Sequence, residues 1–246
     1  MIKFFRKIRQ KLLTENKFSQ YFIYAIGEII LVVIGILIAI SINNWNDTRN
    51  KDDLKISYIE SLKSDLSADI VYFKTQIAID STELAKMLFF SKRLSNSNTT
   101  EDTLIQIARY EFLPFTDIDN ELNMSTIHTL ISTGNINVFD RNTSESLIKF
   151  YNEQLNSISK IDRNDELYFN SVIVYRNKYP FNSKRNGING DFMNSFWSSL
   201  DENNLKSDFN GVLTAKIGML DNSILTRKEL LIKTTEMLNN LSIIND

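Results

Sequence analysis

The chain has 246 residues, 43% of them hydrophobic and 24% charged, enough apolar material for a core, which excludes disorder over most of its length. Seven Gly and two Pro are too few for the turns of a sheet protein, and the absence of Cys rules out disulfides, thiolate nucleophiles and thiolate metal sites. The net charge of −2 is uneven: Lys3, Arg6, Lys7, Arg9, Lys11 and Lys17 against Glu15 give residues 1–20 a balance of +5, leaving −7 for the rest, and so acidic a body repels nucleic acid.

The first element is the tail KFFRKIRQKLL. Phe5, Ile8 and Leu12 stand at helical spacing among cations, which suits either a short helix on an anionic inner leaflet or a plain positive topology signal. Residues 21–42, YFIYAIGEIILVVIGILIAISI, follow with one ionisable side chain, and at about 1.5 Å per residue they cross roughly 30 Å of hydrocarbon. A cleaved signal peptide has a shorter apolar core and a small-residue cleavage site; this segment is long and ends in Asn43, Asn44 and Trp45, so it reads as an uncleaved anchor. Cations precede it and mixed charges follow it, which places residues 1–20 in the cytoplasm and residues 43–246 on the periplasmic side of the inner membrane. Tyr21, Phe22 and Tyr24 at one end and Trp45 at the other mark the headgroup layers.

Glu28 breaks the apolar run about 10 Å inside Tyr21, too deep for its carboxyl to reach headgroups. The surrounding Ile, Leu and Val residues outweigh its insertion cost of roughly 3 kcal/mol. Ala25, Glu28, Val32, Gly35, Ala39 and Asn43 follow at steps of three or four and share a small, partly polar face. That face is expected to pair with a second copy or another membrane protein, with Glu28 protonated or hydrogen-bonded across it; a lone neutral Glu28 tolerated in lipid is the alternative.

The run from KFFRKIRQKLL through YAIGEIILVVIGILIAI to NNWND resembles the head of an uncharacterised family of single-pass membrane proteins of Bacteroidota, and ISTGNINVF followed by LIKFYN resembles a weaker block of the same family. Gly27 and Glu28 fall on its G-E pair. The likeness implies an envelope location and an anchor; the family has no assigned activity, so no catalytic residue carries over.

Beyond Trp45 the pattern predicts an elongated antiparallel bundle of long helices. The first has Tyr58, Leu62, Leu66, Ile70, Phe73, Ile77, Leu84 and Leu88 on its apolar stripe, unbroken by Pro or Gly over residues 51–94, and continues from the membrane helix as a rigid stalk. SNSNTTED is a loop, residues 101–112 form a second helix stopped before Pro114, and residues 125–133 a third closed by Gly134. Asn142 with Glu145 reads as an N-cap pair opening a long helix towards Tyr179. After Pro180 and the NGING turn, Asp191 caps a short helix, and a last helix over about 205–244 carries Leu213, Ile217, Leu220, Ile224, Leu231, Leu238 and Leu241.

Chemistry is sparse. Phosphate loops, the G-x-S-x-G elbow and H-E-x-x-H are missing, and the single histidine, His128, reads as structural or surface. Asp117, Asp119 and Glu121 lack the glycine and distal glutamate of a calcium loop, so no metal or other cofactor is expected. Tyr175, Tyr179, Phe181, Phe192, Phe196 and Trp197 surround the Pro180 turn, where they either line a pocket or docking patch or pack the end of the bundle. The functional expectation is a non-enzymatic envelope module that binds or scaffolds a partner. The alternatives are a periplasmic sensor signalling through a membrane partner and a proton-coupled, stator-like subunit using Glu28.

Overall fold

The computed structural model describes residues 18–115, 122–180 and 190–244. Among them are six α-helices and no strand: α1 (Phe18–Leu94), α2 (Glu101–Gln106), α3 (Ser125–Ser132), α4 (Arg141–Lys178), α5 (Asp191–Ser198) and α6 (Glu202–Ile243). A π turn (Ile107–Glu111) follows α2 and a 3₁₀ turn (Asn135–Val138) follows α3. The helix-rich, turn-poor composition thus yields an all-α chain with long helices. Helical structure in α1 carries on without a break through residues 43–51. The chain divides into two compact units, Met1–Ser57 and Tyr58–Asp246.

In the first unit, the part of α1 that is described is exposed nearly throughout, and it holds the one stretch among the described residues that is long and apolar enough to cross a membrane, with a mean hydropathy of 2.8 and none of it buried.

The second unit is a bundle of the distal part of α1 with α4 and α6. Ile59, Leu62 and Leu66 of α1 pack with Leu147 and Phe150 of α4 and Leu241 of α6. Met87 and Phe90 pack with Tyr168, Val172 and Tyr175 of α4 and with Leu205 to Leu220 of α6. Residues low on α1 therefore meet the start of α4 and the end of α6. In this bundle α1 and α4 run in the same sense and α6 runs antiparallel to both, because the segment holding α2 and α3 carries the chain back along the bundle. Each of the two apolar clusters is shared by all three helices.

Several local expectations need correcting. Leu88 is half exposed, and Met87 and Phe90 take the core positions assigned to it. The α4 N-cap is Asp140, whose carboxylate accepts from the Thr143 N–H at 3.0 Å, while Glu145 pairs with Arg141 at 2.7 Å. Asp191 is the first helical residue of α5, behind an N-cap at Gly190 with φ +82°. Residues 101–112 split into α2 and a π turn, closed by the Phe112 N–H donating to the Ile107 carbonyl at 2.8 Å. Gly134 closes α3 as expected, at φ +74°.

Candidate functional site

Ala25, Glu28, Val32, Gly35 and Ala39 lie along one face of α1. Val32, Gly35 and Ala39 are exposed, Ala25 and Glu28 half-buried, and a Cβ added at Gly35 would meet no atom within 4 Å, so the face is open to a neighbouring helix. Fourteen large apolar side chains from Phe22 to Ile42, Val32 among them, are each 42–69% exposed.

The aromatic residues separate. Tyr175, Tyr179 and Trp197 are buried in the cluster shared with Phe112 and Phe209, and Phe196 packs against it. The rings of Tyr175 and Tyr179 lie 5.0 Å apart, and Phe112 meets Phe209 edge-on at 5.2 Å. Phe192 is 70% exposed and does not join them; Phe181, like Asp117, Asp119 and Glu121, falls outside the described residues. Tyr179 also faces an open cleft of about 410 Å³, where its hydroxyl donates to Asp208 at 2.8 Å beside Lys178. Burial and that carboxylate push the Tyr179 hydroxyl up to about 12, while the Tyr179 and Lys178 bonds hold the Asp208 carboxyl below its usual range. The Arg109 guanidinium lies over the Trp197 ring at 5.7 Å and donates to Asn194 at 2.8 Å. His128 is exposed on α3, and no three metal-ligating side chains come together among the described residues.

Sequence reasoning missed a polar interior. On the buried face of α6, Lys216, Ser223, Arg227 and Thr234 alternate with Leu220, Leu230 and Leu241. Lys216 is fully buried; it donates to Glu83 Oε1 and to the Leu113 carbonyl, both at 2.6 Å, and lies 5.5 Å from the Phe112 ring. Arg227 pairs with Asp80. Tyr168 donates its hydroxyl to the Pro114 carbonyl at 2.6 Å, so two consecutive carbonyls of the loop leaving the π turn are gripped by buried donors from α6 and α4. Lower on α1, Asp69 accepts from the backbone N–H and side-chain amide of Asn123, each at 2.9 Å, beside buried Gln154, while Asp65 accepts from the Thr126 N–H at 3.4 Å and steadies the start of α3.

Burial dominates the electrostatics of this interior. It pushes the Asp69 carboxyl up despite the Asn123 bonds, raises Asp80 despite Arg227, and lowers the Lys216 amine despite Glu83. The signal was present: 213, 216, 220, 223, 227, 230, 234 and 241 continue one ladder of helical steps, and only a search confined to apolar residues passes over half of it.

Residues 28–223 match the family described as of unknown function, DUF6090. The chain belongs to DUF6090. The part of DUF6090 present here takes in Glu28, the face from Val32 to Ala39, the ISTGNINVF block and Lys216, and stops short of Arg227. No curated protein and no solved structure matches the chain.

Proposed function

We propose that this protein is a membrane-tethered helical module that acts by holding a partner, not by catalysis. Residues 21–42 cross the inner membrane once, residues 1–20 remain in the cytoplasm, and residues 43–246 stand on the periplasmic side. The observation that carries the reading is the uncovered apolar surface between Phe22 and Ile42. Fourteen side chains uncovering roughly 100 Å² each, at about 25 cal/mol per Å², represent on the order of 30 kcal/mol, more than the entire stability of an ordinary domain. Such a surface is not left in water, and its length suits a bilayer. The excess of cations before it supports the orientation.

The partner is expected on the face of Ala25, Glu28, Val32, Gly35 and Ala39, either a second copy or another membrane protein. Small residues there let backbones approach, and a bonded neighbour relieves the cost of an acid in hydrocarbon.

Alkaline extraction and protease treatment of spheroplasts test the anchor. The chain should stay in the membrane pellet and its body should be digested from outside; release into the soluble fraction refutes the reading. For the partner, the lack of native Cys makes single-Cys crosslinking clean. Gly35→Cys and Ala39→Cys should crosslink between two differently tagged copies, or to one co-purified neighbour, well above Leu37→Cys. Equal yields from the Leu37 side remove the interface.

A further inference from the structure

The last turn of α1, the turn into α2 and the first turns of α6 enclose an open groove of about 730 Å³, inside the size range of small-molecule sites. Its floor is apolar: Leu104, Phe209 and Leu213 are buried and Leu94 is partly so. Hydroxyls and amides form its rim, and they fall into two groups. Ser95 Oγ donates to the Ser91 carbonyl, Thr99 Oγ1 donates to the Arg93 carbonyl, and the hydroxyls of Thr100 and Thr103 bond each other, which engages part of their hydrogen-bonding capacity within the fold. The side chains of Ser91 and Asn210 make no hydrogen bond among the described residues, and Asn96 uses only its carbonyl oxygen, which accepts from the Asn98 N–H at 3.2 Å.

Charge narrows the ligand further. The rim's one cation, Lys206, stands 3.7 Å from Glu101 and 3.9 Å from Glu202, so a phosphate finds no uncompensated partner. An extended peptide needs a row of free backbone groups, and the walls here are helices whose backbone groups are bonded internally. An amphipathic ring with a C–H face and uncharged hydroxyls matches both surfaces.

We propose that this groove binds an uncharged saccharide, its C–H face on Leu94 and the accessible edges of Leu104 and Leu213 and its hydroxyls on Ser91, Asn96 and Asn210. The site is independent of the anchor: its failure leaves the membrane reading standing, and the converse holds.

The test uses the full chain in lipid nanodiscs, free of sugar-headed detergents, with the trisaccharide of N-acetylglucosamine as probe and saturation-transfer NMR as readout. Transfer to the sugar should saturate in the millimolar range or below. Ser91→Ala with Asn210→Ala should weaken binding about tenfold, the loss of one to two net hydrogen bonds. Asn152→Ala, an exposed position on α4 outside the groove, should leave it unchanged. Asn96→Ala, on the turn, gives the same readout should the double variant lose its melting transition. No transfer at millimolar sugar, unchanged affinity in the folded groove variants, or tighter binding of the cationic glucosamine trimer or of a blocked neutral tripeptide would each overturn the proposal.

Discussion

Glu83→Leu should be among the most damaging single substitutions in the bundle, and the reason is Lys216. The ammonium is wholly buried, and among the described residues its hydrogen bonds go to Glu83 and the Leu113 carbonyl. Breaking a buried pair from one side costs about 3–5 kcal/mol; because Glu83 keeps 23% of its surface in water, the lower end, about 3 kcal/mol, applies. Lys216→Met is milder: Glu83 can turn to solvent, and the cost is that of an unpaired Leu113 carbonyl, about 1–3 kcal/mol. The double variant buries no charge and should cost no more than Lys216→Met alone, so the two single losses should fail to add by about 3 kcal/mol. Linkage supplies a second signature. Burial holds the folded-state pKa of Lys216 below its ordinary 10.5, so the unfolded chain binds more protons across that interval and stability rises with pH there. That rise should disappear in Lys216→Met and begin at lower pH in Glu83→Leu, where burial is no longer opposed. Urea unfolding of the full chain in micelles, at neutral and alkaline pH, measures both effects. Additive single losses, or a Glu83→Leu cost no larger than that of Lys216→Met, would show that the pair is not what holds α6 to α1.

Asp69→Asn should equal the wild type in acid and exceed it at neutral pH: the raised folded pKa means that the carboxyl's contribution is complete below its unfolded value of 3.8 and is lost as pH rises through the folded value, as urea melts across that range would record. Tyr168→Phe strips the Pro114 carbonyl of its donor and should lower stability by about 1–3 kcal/mol, read from the same melts. Gly134→Ala should cost about 1–2 kcal/mol although an added Cβ meets nothing, because the loss lies in the left-handed backbone; Gly134→Asn should recover part of it.

The fold was legible wherever burial and apolarity coincide. The stretch over residues 21–42, the long helices ending near Leu94, Lys178 and Ile243, and the glycine stop at Gly134 all follow from period, length and turn chemistry. Caps were less legible because several residues compete for the same helix end: Asn142 and Asp191 have the right chemistry, but Asp140 and Gly190 have the right backbone, extended in one case and at positive φ in the other. Of the aromatic cluster, Tyr175, Tyr179 and Trp197 came together and Phe192 did not; short helices carry too few turns for periodicity to say which side faces inward. The polar interior escaped for a different reason: Lys216 and Arg227 look like solvated residues until the carboxylates of Glu83 and Asp80, more than 130 positions earlier in the chain, are placed opposite them.

That distant pairing settles a question the apolar residues leave open. The stripe of α6 is rich in Leu and Ile, and a slide of one turn, about 5.4 Å, would still set aliphatic side chains against aliphatic side chains at modest cost. It would also carry Lys216 away from Glu83 and the Leu113 carbonyl, and Arg227 away from Asp80, while both cations stayed inside. At about 3 kcal/mol for the Glu83–Lys216 pair alone, the penalty is a large fraction of the stability of a domain. The buried charges therefore act chiefly against the wrong alignment of α6 and only weakly in favour of the folded state itself, which is why replacing the Glu83–Lys216 pair by apolar residues should leave a stable bundle whose α6 is less strictly held in place.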